Sequence, residues 1–370
     1  MSDDFLPINR VDHIEFYVGN ARQAAHFYKT AFGFAQTAYS GLETGNRERA
    51  SYVLEQHNIR LVLSSALSPD HPIARLAHLH GDTVAVVAVE VPDAAAAYRE
   101  TTKRGATGAI APMEIEDEHG LYRAAAIRLY GDTLMKFVER GKYRGPFVPG
   151  YTAVDYAGSR NAQGKPTGFG LMHVDHIVGN VELGAMNRWV DFFAQTMGFE
   201  QLRHFSDNDI HTEYSALMSK VMMNGNGKIK FPINEPAEGR RKSQIQEYLD
   251  YHYGPGVQHL ALSTGNIVEA VTRLRNSGVE FLRVPSAYYH ELEARVGKIN
   301  EPVDTLAELG VLVDRDEEGY LLQIFSKPVE DRPTVFYEII ERHGSRGFGV
   351  GNFKALFESI EREQELRGNL

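Results

Sequence analysis

The chain has 370 residues, enough for two domains each with its own core, and its 43% apolar and 24% charged content is that of an ordinary globular protein. A net charge of −10 argues against the basic face that a nucleic-acid partner would need. With no cysteine, disulfides, thiolate metal sites and cysteine nucleophiles are all excluded, so any metal must be held by histidine and carboxylate.

The first residues, MSDDFLPINRVDH, carry neither the basic nor the apolar segment of a signal peptide. No apolar run approaches the roughly 20 residues of a membrane span. A cytoplasmic protein with no membrane partner is the expectation. Val11–Val18 reads as a strand. Ala25, Phe27, Tyr28, Ala31 and Phe32 then form an apolar stripe of helical period over Ala21–Phe32, and Gly33 sits where the helix C-cap wants positive φ. Strands follow at Ala50–Leu54 and Ile59–Ser64, then strand Val84–Val91 and helix Ala94–Arg104. Residues 141–168, rich in Gly and Pro and without periodicity, read as a linker. The order then recurs: helix Met186–Met197, strand Ile229–Ile233, strand Val257–Leu262, helix Ile267–Asn276. After a Gly-rich turn, an amphipathic helix runs from Asn352 toward Arg367. The expected division is 1–140, a linker at 141–168, 169–340, and a terminal helical segment at 341–370.

The recurrence is also in the residues. Segments 84–112 and 257–285 align without a gap, with Val84 on Val257, Ala88 on Ala261, Gly105 on Gly278 and Pro112 on Pro285. Val11-Asp12-His13-Ile14 matches Val174-Asp175-His176-Ile177. In this frame His259 falls where the first copy has Val86. One histidine among aliphatic strand residues is as readily a core residue as a ligand, but His176 and His259 hold matching places in paired repeats. Glu338, inside an apolar strand, is the carboxylate to join them. Buried and alone it would be costly, so it needs a cation: either Arg342 or a metal. If Thr133 matches Thr334, the first copy has Phe137 at the place of Glu338 and keeps only His13. Two imidazoles and a carboxylate leave about three positions open on a metal such as Fe(II), as in non-haem oxygenases. The residual single positive charge suits a monoanionic α-keto acid chelate. Zinc hydrolysis is the rival chemistry for such a set.

Val174-Asp175-His176, Phe231–Pro236, Lys242–Tyr248, Gly256–His259, Tyr320–Phe325, Phe336–Glu338 and Gly347–Phe353 together closely resemble the 4-hydroxyphenylpyruvate dioxygenases of the vicinal oxygen chelate superfamily, over essentially the whole chain. The resemblance implies an α+β fold of two domains. Each pairs βαβββ modules into a curled, half-open sheet around a cavity, the second being the active one. It implies that His176, His259 and Glu338 ligate Fe(2+), and that 4-hydroxyphenylpyruvate and O2 become homogentisate and CO2 in tyrosine breakdown. Ser219, Asn234, Gln244 and Gln258 then match a polar network at the substrate, and Gln323 lies beside the metal. Phe336, Phe348 and Phe353 match aromatic residues around the ring, and Asn352 matches a residue at the mouth of the site. Pro232 shapes the backbone near Asn234. The tail helix is expected to gate the cavity, and the assembly to be a homodimer or homotetramer. Hydroxymandelate synthase, which acts on the benzylic carbon of the same substrate, is the nearest rival. Phe325 speaks for the dioxygenases, since the synthases tend to have a smaller aliphatic residue there. A non-catalytic ligand-binding relative would be expected to lack the His/His/Glu set.

Overall fold

The computed structural model of the chain describes residues 4–202, 216–237 and 242–369. Its opening unit is strand Arg10–Tyr17, helix Ala21–Ala31 and strands Ala35–Ser40, Arg49–Gln56 and Ile59–Ala66. Thr83–Glu90 opens the same succession, and so do Leu171–Asn180 and Gly256–Thr264 in the second half. The three helices that follow the first, second and fourth opening strands start alike. Asn20, Asp93 and Asn266 each accept an amide hydrogen bond from the residue three positions on, which satisfies one of the free N–H groups of the first turn. Gly33 and Gly198 stand at the far ends of their helices with φ of 74° and 70°, a conformation that glycine adopts without a Cβ penalty.

Among the described residues the strands form two sheets, one of nine and one of eight strands. Within each half the two opening strands pair antiparallel, and each pairs in parallel with the last strand of its own unit. The sheets thereby share one strand order and curl into two half-barrels. Thr152–Ala153, inside the expected linker, adds an edge strand to the first sheet beside Ala38 and Tyr39. No helix among the described residues is long and apolar enough to cross a membrane.

One face of each sheet is apolar and meets the other half. Tyr28 and Phe32 pack on Tyr337 with ring centroids 5.9 and 4.8 Å apart, and the Tyr28 and Tyr337 hydroxyls hydrogen-bond at 2.8 Å. The rings of His80 and His252 stack across the same seam at 4.3 Å. The halves therefore share one core, and the opposite face of each sheet lines a cavity.

The register corrects one equivalence. Ala261 lies opposite Glu338, and its counterpart Ala88 lies opposite Lys136, so Lys136 and not Phe137 holds the place of Glu338. Phe137 is one residue on, points to the other face and is fully buried in the shared core. Matching Thr133 with Thr334 anchors the alignment in a loop, whose length drifts between copies, whereas the strand ladder fixes which side chain reaches the cavity.

The seam is closely fitted at Gly179, where a Cβ would lie 2.4 Å from the Tyr130 ring. Tyr130 is fully buried and wedged edge-on against Trp189, so it has nowhere to go. Gly179→Ala is expected to lower stability by about 1–3 kcal/mol through overpacking, read as a lower urea midpoint at unchanged slope.

Candidate metal centre

Three adjacent strands bring the sequence-selected ligands together. His176 lies in Leu171–Asn180, His259 in Gly256–Thr264 and Glu338 in Phe336–His343. Ala261 is paired with both His176 and Glu338, and His259 lies two residues away on the same face. All three side chains are buried. The Glu338 Oε2 atom is 3.1 Å from His176 Nε2 and 3.6 Å from His259 Nε2.

Plain alternation along a strand does not account for what holds the imidazoles. Asp175 and Gln258 each immediately precede a ligand histidine, and each sits at a break in the ladder where it has no cross-strand partner. Such β-bulges let consecutive side chains act at one place. Asp175 Oδ1 lies 2.9 Å from His176 Nδ1, and Gln258 Oε1 lies 3.1 Å from His259 Nδ1. Both acceptors favour N–H at Nδ1 and leave Nε2 as the lone-pair donor, the tautomer a metal requires. Asp175 is itself held by Arg342, whose Nε and Nη2 donate to its two oxygens at 2.8 Å each. Arg342 was the alternative cation for Glu338; it is engaged with Asp175 instead. The Arg342 guanidinium also donates from Nη1 to the Gly347 carbonyl at 2.7 Å.

The electrostatics fit a cation. Burial pushes the Glu338 carboxyl upward, but His176 and then His259 overcome it and hold it down at about 2. Burial likewise opposes the charge on His176, which Glu338 and Asp175 nevertheless raise above the ordinary histidine range; burial lowers His259. A carboxylate kept anionic in a buried place between two Nε2 atoms is the donor set a divalent metal would complete. A second group, Glu301, Glu341 and His343, is also close-set. There Glu341 already caps a helix through the Ile267 amide at 2.7 Å.

Ser219, Pro232, Asn234, Phe325, Phe348 and Phe353 line one cavity with the three ligands, together with Val178, Val221 and Leu356. Gln244, Gln258 and Phe336 do not line it; they line a separate cavity with Glu247 and Ile360. The Phe336 ring stacks on His259 at 4.6 Å, Phe348 meets His176 edge-on at 5.0 Å, and Phe325 approaches His259 edge-on at 6.2 Å. Gln323 is fully buried under Gly349, and among the described residues neither its amide oxygen nor its nitrogen has a hydrogen-bond partner. Asn352 lies outside this lining; its side-chain oxygen accepts from the Tyr288 hydroxyl at 2.6 Å, and its Nδ2 has no partner among the described residues. Strict alternation would put His173 on the opposite face from His176, but the bulge at Asp175 returns it to the same face, two positions along the partner strand; there it meets Ser263 Oγ at 2.8 Å and does not line the cavity. Sequence reasoning missed Asp175 and Arg342 as supports. The Val-Asp-His repeat was the available signal for Asp175.

The sequence profile of the Glyoxalase/Bleomycin resistance protein/Dioxygenase superfamily matches residues 10–129 and 173–324. A 4-hydroxyphenylpyruvate dioxygenase of Dictyostelium discoideum is 47% identical over 365 residues, covering 97% of this chain and 99% of that protein. One from Danio rerio is 47% identical over 364 residues, covering 97% and 91% respectively. Among solved structures, a triple mutant of 4-hydroxymandelate synthase from Streptomyces coelicolor superposes with a TM-score of 0.85 at 33% identity, covering 97% of this chain and 100% of that one.

The supports of His176 can be tested apart from the ligands. Asp175→Asn keeps the shape but loses the anion that Arg342 requires. It is expected to lower metal affinity by about 10–100-fold and stability by about 3 kcal/mol. Asp12→Asn breaks the equivalent pair with Arg140 in the first half and is expected to cost similar stability at unchanged metal affinity. Metal titration and urea unfolding of both variants read the difference; equal metal affinities would refute it.

Proposed function

The chain belongs to the Glyoxalase/Bleomycin resistance protein/Dioxygenase superfamily and, within it, to the 4-hydroxyphenylpyruvate dioxygenases, and on that footing we propose that it converts 4-hydroxyphenylpyruvate and O2 to homogentisate and CO2. The observation that carries the reading is the buried His176, His259 and Glu338 set facing a cavity walled by Phe325, Phe348 and Phe353. The three donors would hold Fe(II), which when bound supplies activation of O2 and takes up electrons from the α-keto acid. One carboxylate against a divalent ion leaves a single positive charge, which favours the monoanionic pyruvate end of the substrate. Phe348 and Phe353 offer flat apolar walls to the ring, and Ser219 and Asn234 offer hydrogen bonds to the phenol or the keto acid. Asp175 and Gln258 keep each imidazole turned to the same point throughout.

The terminal helix, Phe353–Leu366, contributes Phe353 and Leu356 to this cavity, whose volume is about 60 Å³. Ligand sites generally span about 300–1,000 Å³. Substrate entry therefore requires these two side chains to withdraw, and their return excludes water from the reacting centre.

Product analysis tests the reading. Protein supplied with ferrous iron, O2 and 4-hydroxyphenylpyruvate is expected to release homogentisate. Glu338→Gln keeps the shape but removes the anionic donor, and turnover is expected to fall by at least about 100-fold. Turnover of Glu338→Gln near that of the wild type would sink the assignment.

Benzylic hydroxylation to 4-hydroxymandelate is the second reading, favoured by the synthase as a structural neighbour. Phe325 separates the two. It pairs in register with Glu338 and lines the cavity, so its ring limits how the substrate can bend beside the donors. A displacement near 1 Å can shift rates about 100-fold. Phe325→Val is expected to divert part of the flux to 4-hydroxymandelate while CO2 release continues, as measured by liquid chromatography of products. Homogentisate alone from an active variant would take the steering role away from Phe325.

A further inference from the structure

The first half lacks the ligand set but has a cavity. It measures about 510 Å³ and is lined by Glu15, Tyr17, Arg49, Tyr122, Lys136 and Tyr151, among others. By register Val86 takes the place of His259, and Lys136 that of Glu338. His13 is not among the lining residues; its Nδ1 faces Asp12, and its ring meets Phe147 edge-on at 5.0 Å.

Charge decides what this cavity can hold. Glu15 is well provided for: Ser64 Oγ donates to its Oε1 at 2.7 Å, and Arg49 Nη1 lies 3.6 Å from the same atom. Lys136 makes no salt bridge among the described residues. Burial draws its pKa down, but Tyr122 and Glu15 outweigh this and leave it raised, so it is an ammonium at neutral pH. The Tyr122 hydroxyl is buried with no hydrogen-bond partner of regular geometry among the described residues, although Lys136 is close enough to feel it. Two cations against one carboxylate give the cavity one positive charge. The second half reaches the same balance only with a divalent metal set against Glu338.

We propose that the first-half cavity is a binding site for a small organic monoanion, a carboxylate on a flat apolar body, with Lys136 and Tyr122 at the carboxylate. Tyr17 and Tyr151 give faces for the body, and Val86, Leu134 and Val148 give it apolar walls. Those walls disfavour inorganic phosphate, whose remaining oxygens would go without donors.

The test uses the full-length protein and 4-fluorobenzoate, followed by fluorine NMR titration. Saturable binding is expected, weakened about tenfold or more in Lys136→Met and tightened several-fold in Glu15→Gln, because the two changes move the cavity charge in opposite directions. Turnover of 4-hydroxyphenylpyruvate is expected to stay within about twofold in both, since neither side chain faces the second half's donors. If Lys136→Met does not fold by circular dichroism, Glu15→Gln and Tyr122→Phe carry the test, the latter with weakened binding. No saturable binding at millimolar concentration, affinity unmoved by the variants, or inorganic phosphate binding as tightly as 4-fluorobenzoate would each overturn the proposal.

Discussion

The buried carboxylate of Asp175 is the point on which the second half is organised. It faces His176 Nδ1 on one side and takes both hydrogen bonds of the Arg342 fork on the other. Arg342 in turn grips the carbonyl of Gly347, in the turn that leads to the terminal helix. One charge pair thus orients a donor and anchors the turn before the terminal helix. Losing either partner would strand a largely buried charge, a penalty of about 3–5 kcal/mol that no surface contact could offset. The pair can form because Asp175 occupies a bulge. In a regular strand it would point away from the face that His176 uses.

The same device exists in the half without the ligand set. Asp12 is bulged out of its ladder, faces His13 Nδ1 and receives the Arg140 guanidinium, which also donates to the Phe147 carbonyl. The second bulge is repeated as well, at Ala85 where the other half has Gln258. Phe147 meets His13 as Phe348 meets His176, both at 5.0 Å and edge-on. The frame is therefore common to both halves of the duplicated fold, and the His/His/Glu set is found in the second half. Replacing His259 by Val removes a donor, and replacing Glu338 by Lys reverses a charge. Either change alone defeats a divalent ion, and together they turn a cation site into one suited to an anion.

Much of this was legible in the residues. The repeated Val-Asp-His and the gapless match of 84–112 with 257–285 gave the duplication, and helix Ile267–Asn276 lies where its pattern put it. The donors were found because three polar groups in apolar strands are hard to explain singly. What escaped depends on pairing between strands. Asp175 and Gln258 could not be read as supports while the strands were taken to alternate regularly. Lys136 was hidden by a one-residue offset that only the ladder resolves. Ser243 is buried and caps its helix by accepting the Gln246 amide, a role its residue type alone does not single out. Caps, bulges and register are relations between backbone positions, and a side-chain pattern carries them weakly.

The terminal helix is joined to this frame by both apolar burial and polar contacts. Its inner residues, Leu356 and Phe357, are buried, and Ser359 Oγ donates to the Arg283 carbonyl. Its outer tethers are ion pairs, Arg367 with Glu247 and Lys327 with Glu363, in which one partner of each is about a third exposed. The buried Glu247 carboxylate takes two hydrogen bonds from the Arg367 guanidinium, so this tether and the burial of Leu356 and Phe357 together hold the helix against the body. The turn before the helix bends at Gly344 and Gly349, both at positive φ, and Gly349 lies so close to Gln323 that a Cβ would fall 2.4 Å from its amide. The turn thus rests on the Gln323 amide at one end, while Arg342 ties its base to the His176 support. The helix supplies Phe353 and Leu356 to the wall of the cavity, and the three donors are held apart from it by the two bulged strands.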